Sequence, residues 1–167
     1  WMALVHTPSR TVFNRHGKVM SIEADFKVAT WALSLSPFEW VVCEALQRRH
    51  HLAQGSLFII DFMDKHLSMI QRHRSLRDFF PVHEYMTIPN QNEVYLIDQF
   101  EKTNQELFDI WSNMIEFNAT HGAEFYEGFV ATDRDSKYQH QLQSPSKTTD
   151  KIIVRVFHCK ALAVFFY

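Results

Sequence analysis

His66 and His73 stand seven residues apart in "FMDKHLSMIQRHRSLRDFF", so on a continuous helix they share one face. Asp61 precedes His66 by five residues, and Asp64 lies off to one side. With Glu101, Glu106 or Glu116 supplied by a neighbouring helix, this pair would build a bundle-type site for iron or zinc, or a haem site. The Glu-x-x-His pairs of a di-iron carboxylate bundle are missing from the sequence. His50 and His51 fall at an expected helix end, where the dipole favours positive charge without any metal. Capped or solvent-facing positions account for most of the ten histidines, so a metal or haem centre at His66 and His73 is the second reading of the chain.

Nucleophilic chemistry has less to build on. There is no G-x-S-x-G, and Cys43 is expected in the middle of a helix on its apolar face, as an inert buried thiol. Gly17, Gly55, Gly122 and Gly128 are too scattered to cradle a phosphate. No catalytic residue is assigned, and the first reading needs no cofactor.

Composition sets the outer limits. The chain of 167 residues fits a single domain, and 46% hydrophobic with 22% charged residues argues against disorder. Fifteen Phe and four Trp point to an aromatic-rich core or contact face. A net charge of −2 gives no bulk attraction for a polyanion, which disfavours nucleic-acid binding. Cys43 and Cys159 form no CxxC, and two buried thiols are expected. No apolar run reaches the roughly 18 residues that span a bilayer. "WMALVHTPSR" lacks the pattern of a secretory signal, so the expected location is cytoplasmic. Asn118-Ala-Thr120 spells a glycosylation sequon and is read as a chance triplet.

The elements that must position these residues read as mainly helical. Residues 1–30 form a strand and turn segment, with "TVF" and "KVMSI" flanking a tight turn at "NRHG" and "FKVATWALSL" as a third extended piece. In "LSPFEW", Ser36 caps, Pro37 takes the first helical position and Glu39 completes a capping box. That opens a helix over about 36–54. A second runs over about 56–80 with Ile59, Ile60, Met63, Leu67, Ile70, Leu76 and Phe80 as its stripe, and a third over about 90–121. The expected fold class is therefore a mainly α bundle of three amphipathic antiparallel helices. The N- and C-terminal segments add a minor β element. Residues 36–130 make the helical core, 132–150 a polar loop, and 151–167 an apolar tail that reads as buried strand.

The third helix carries a heptad seam, Ile97, Phe100, Asn104, Leu107, Trp111, Met114 and Asn118, with Trp111 and Leu107 expected in the core. Phe108, Ile110, Ile115 and Phe117 widen the seam beyond what one neighbour covers and form the expected interaction face, with Phe108 and Phe117 at its outer edge.

"FMDKHLSMIQRHRSLRDFF" followed by "VYLIDQFEKTNQELFDIWSNMIEFN" resembles the phasins, helical proteins that coat polyhydroxyalkanoate granules. The resemblance covers about a third of the chain, from Phe62 to Asn118. It implies a non-enzymatic, self-associating protein that binds a hydrophobic surface. The strand-like first thirty residues and the β-branched tail depart from that family. "LSLSPFEWVVCEALQRRHHL" is similar to the first helix of winged-helix response-regulator domains, which would give Arg72, Arg74 and Arg77 the recognition role. A small ligand-sensing domain of the PAS kind is a further alternative. The first reading is a non-catalytic interaction or scaffold protein, partnered by itself or by a protein or hydrophobic surface.

Overall fold

The computed structural model describes residues 1–21, 26–45, 52–101, 104–128, 130–133, 135–137 and 162–166. In chain order the elements are β1 (Met2–His6), β2 (Thr11–Asn14), β3 (Val19–Met20), α1 (Lys27–Ser34), β4 (Trp40–Ala45), β5 (Leu57–Phe62), α2 (Met69–Arg77), β6 (Val94–Leu96), β7 (Asp98–Glu101), α3 (Asn104–His121), β8 (Val130–Asp133) and β9 (Leu162–Phe166). A six-stranded sheet, β3-β2-β1-β4-β5-β6, forms the centre, antiparallel as far as β5 and parallel from β5 to β6. The parallel pair requires a crossover, which α2 supplies. A second sheet, β7-β9-β8, is parallel throughout.

The mainly α bundle is thereby overturned, and with it each of the three long helices. The stretch 36–54 contains β4, with 46–51 outside the described residues. The stretch 56–80 divides into β5 and the shorter α2, and 90–121 into β6, β7 and α3. One physical cause underlies all three. β4 and β6 are buried on both faces, as is the start of β5, so the inward–outward alternation of a strand disappears. The remaining apolar run then has the look of a wide helical stripe. Its residue types nonetheless favour extended chain, as in Trp40-Val41-Val42 and Val94-Tyr95.

The helix start expected at Ser36 is a helix exit. Ser36 Oγ donates to the Leu33 carbonyl at 2.8 Å and closes the turn after α1. The helix lies upstream, in the stretch expected to be extended, where Ala29, Thr30 and Leu33 face inward. A capping box does occur at Ser68, whose backbone N–H donates to Gln71 Oε1 at 2.8 Å to open α2. At "NRHG" the hairpin between β2 and β3 is present. Asn14 Oδ1 accepts the N–H groups of His16 and Lys18, and Gly17 adopts φ +74°, which a side chain would resist.

Successive residues of β5 and β6 point to opposite faces and feed two cores. Leu57, Ile59, Val94 and Leu96 join Ala3, Val5, Val41 and Cys43 beneath Ala29 and Leu33 of α1, with Leu76 of α2 and Phe80. Phe58, Tyr95 and Ile97 join Leu107, Ile110, Met114 and Phe117 of α3, with Phe125 and Tyr126 beyond it. Helices α1 and α3 thus cover opposite faces of one sheet. Among the described residues no helix is long and apolar enough to cross a membrane.

Candidate functional site

A groove of about 400 Å³ runs between α1 and the turn that follows α2. Because Ala29 and Leu33 turn to the sheet, the opposite side of α1 and its exit present Val28, Ala32 and Leu35 to one wall. Phe79, Phe80 and Pro81 form the other, and Val94 of β6 also lines the groove. Val28, Leu35 and Phe79 are each more than half exposed, and Trp31 of α1 is as well. The Phe79 ring is not loose, since it meets the buried Phe38 edge-on at 5.3 Å. Ser36, Asn92 and Glu93 supply the polar lining. Glu93 is the one charged residue among the described lining residues. Its Oε2 accepts the Tyr95 hydroxyl at 2.8 Å and its Oε1 accepts Asn90 Nδ2 at 3.3 Å, which tie the carboxylate to Tyr95 of the α3-side core.

The two candidate metal ligands are not brought together on one helical face. His66 is exposed in the loop before α2, where Asp64 Oδ1 accepts its backbone N–H at 2.7 Å. His73 lies inside α2 and is buried, held to the backbone of Ile97. Burial pushes the His73 imidazole down to about 4, and its Nε2 has no hydrogen-bond partner among the described residues. Of the carboxylates expected to complete the site, Glu101 falls in β7 and Glu116 is exposed. Among the described residues no three His, Cys, Asp or Glu side chains converge to hold a metal ion. Cys43 is buried in β4, and burial raises its thiol far above the usual range, so it is not a poised nucleophile. Cys159 lies outside the described residues.

The expected seam is divided among several elements. Ile97 is buried between β6 and β7, Phe100 belongs to β7, and Asn104 opens α3. Leu107 and Met114 are buried, whereas Trp111 is 41% exposed. The interaction face is divided as well: Ile110 and Phe117 are buried, while Phe108 and Ile115 are 64% and 54% exposed. Leu107, Ile110, Met114 and Phe117 set the inward face of α3. Phe108, Trp111 and Ile115 repeat the same spacing one residue on and face outward. Comparisons with family models, with curated proteins and with solved structures find no match for this chain.

The sequence reading missed the groove, although "FKVATWALSL" carries its signal. Val28, Trp31 and Leu35 recur at three and four residues, the spacing of a helix apolar on its outer side. It also missed His83, which has no spaced partner in the sequence and acquires neighbours only through the fold.

Proposed function

We propose that this protein is a non-catalytic interaction module that holds an apolar segment of a partner polypeptide in the groove beside α1. The observation that carries this reading is the exposure of Val28, Leu35 and Phe79 around a concave site. Large apolar groups scattered singly over a surface need no explanation, but a contiguous set around a groove marks a binding surface. The partner is a segment with a Lys or Arg beside its apolar anchors. Glu93 lines the groove without a cation among the other lining residues to offset it. An exposed ion pair contributes only about 0–1 kcal/mol, so Glu93 sets preference and the apolar walls supply most of the affinity.

The test is titration of the full chain against amphipathic Leu/Lys and Leu/Glu peptides that carry a fluorophore, followed by the peptide's fluorescence anisotropy. Binding of the Leu/Lys peptide, lost in Leu35→Ser and Phe79→Ser and made indifferent to peptide charge in Glu93→Gln, is the expected result. Equal binding to the wild type and to Phe79→Ser would remove the groove from the reading.

A second occupant, another copy of this chain, is favoured by Phe108 and Ile115 on the outer side of α3. These two side chains offer on the order of 200 Å², against about 800 Å² per partner in a stable complex. Self-association through α3 alone is therefore weak. Sedimentation of a Phe108→Ser, Ile115→Ser variant at high concentration tests it, and an unchanged mass distribution rules it out.

A further inference from the structure

His83 is 4% exposed and lies where three separate parts of the chain meet. Its ring is 5.5 Å from Phe58 of β5, 5.6 Å from Tyr95 of β6 and 5.9 Å from Phe125, which follows α3. One imidazole thus touches both central strands and the segment that ties α3 to them. Its backbone N–H donates to the Leu96 carbonyl at 2.9 Å and fixes its place beside β6. One ring nitrogen bonds the Thr87 backbone, and Nε2 has no hydrogen-bond partner among the described residues. A neutral ring fits these aromatic surroundings, whereas a charged one would be desolvated with an N–H unsatisfied. The hydrophobic core on the opposite face includes Leu76 of α2, the helix that also buries His73.

We infer that His83 is an acid-operated release for the α3 layer: once protonated, the ring leaves the Phe58–Tyr95–Phe125 cage for water, and α3 with Phe125 and Tyr126 separates from the sheet while the α1 side stays packed.

The groups around the cage do not counter this. From β6, Tyr95 gives its hydroxyl to Glu93. Tyr85 gives its own to the Ile110 carbonyl, and Tyr126 receives the Met86 N–H. From α2, His73 is bound to the Ile97 backbone, and from α3, His121 stacks on Phe117 at 4.1 Å. Glu84, Glu124 and Glu127 are exposed. Burial pushes His83 down to about 4, opposed by the Thr87 backbone, with no contribution from a charged side chain.

Hydrogen exchange of the full chain at pH 7 and pH 4.5, corrected for intrinsic rates, tests the release. A proton affinity that differs between about 6.5 when exposed and about 4 when buried lowers the protection of α3 amides by up to about two orders of magnitude. Amides of β1, β4 and α1 should lose markedly less protection at pH 4.5 than those of α3. In His83→Phe, which fills the cage without a titrating group, and in His83→Gln, the acid-induced loss in α3 should shrink to the loss that His73 imposes on the rest of the chain. Loss of α3 and β1 protection by the same factor, or an unchanged acid response of α3 in His83→Phe, would overturn the inference. Should neither variant fold, an NMR titration of the wild-type His83 ring decides. Protonation near pH 6.5 with α3 still protected would equally overturn it.

Discussion

Arg72 grips Asp61 with two prongs, Nε to Oδ1 at 2.8 Å and Nη2 to Oδ2 at 2.9 Å, and so ties α2 to the end of β5. The guanidinium side chain is 3% exposed and the carboxylate 14%, and Nη1 also donates to the Leu67 carbonyl. Removing one partner leaves a buried charge without compensation, at about 3–5 kcal/mol. Arg72→Leu is therefore expected to lower the urea midpoint steeply, and Arg72→Lys to recover little because an ammonium cannot make the planar fork. The double variant Arg72→Met, Asp61→Leu should regain most of the loss. Urea melts of the four proteins check the order.

Acid should weaken the whole chain as well as the α3 layer. His73 and His83 are both pushed down to about 4 by burial, against about 6.5 for an exposed histidine. The unfolded chain takes up these protons first, so the stability they permit is full above about pH 6.5 and falls as the pH drops towards 4. At pH 5 the loss is about 2 kcal/mol per histidine. Urea midpoints measured from pH 7.5 to 4.5 should fall through that window, and a flat profile would contradict the burial of both rings.

Two residues of α3 that look alike in sequence should respond differently to truncation. Met114 is 1% exposed within the α3-side core, and Met114→Ala is expected to cost about 2–5 kcal/mol. Phe108 faces outward, and Phe108→Ala should shift stability by no more than about 0.5 kcal/mol. Thermal melts of the two variants read the contrast directly.

Asn118 fastens the segment after α3 by accepting the Tyr126 N–H at 2.9 Å and donating to the Tyr126 carbonyl at 2.6 Å. Asn118→Ala leaves both backbone groups to find other partners and should cost about 1–3 kcal/mol. Asn118→Asp keeps the acceptor but sets a carboxylate against the Tyr126 carbonyl, so it should not rescue. Exchange rates of the amides around Tyr126 give the local readout.

Local chemistry was legible in the sequence wherever it determines the structure locally. Asn14 and Gly17 announce their own hairpin, and the run from Asn104 onward has both the spacing and the length of a helix. β4, β5 and β6 were not legible, because the period of a strand shows only when one face is wet, and Val41, Val42 and Cys43 are all buried. The cap at Ser36 misled for a different reason. Its hydroxyl and Pro37 suit the exit from α1 as well as the entry to another helix, and only the Leu33 carbonyl decides between them. The groove and the His83 cage draw on elements far apart in the chain, so no window of sequence contains either of them.

The order of strands in the second sheet has a consequence for synthesis. Among the described residues β7 and β8 each pair with β9 and not with one another, so the latest-made of these three strands occupies the middle position. On the ribosome all six strands of the first sheet exist once residue 96 has emerged, whereas β7 has no ladder partner among the described strands until residues 162–166 arrive. At about 5–20 residues per second that interval lasts roughly 3–13 seconds. During it, β7 and then β8 carry open backbone edges, the usual point of attack for stray strands and the usual ligand of holding chaperones. Translational pausing upstream of β9 should therefore lower the soluble yield more than the same pause upstream of β4.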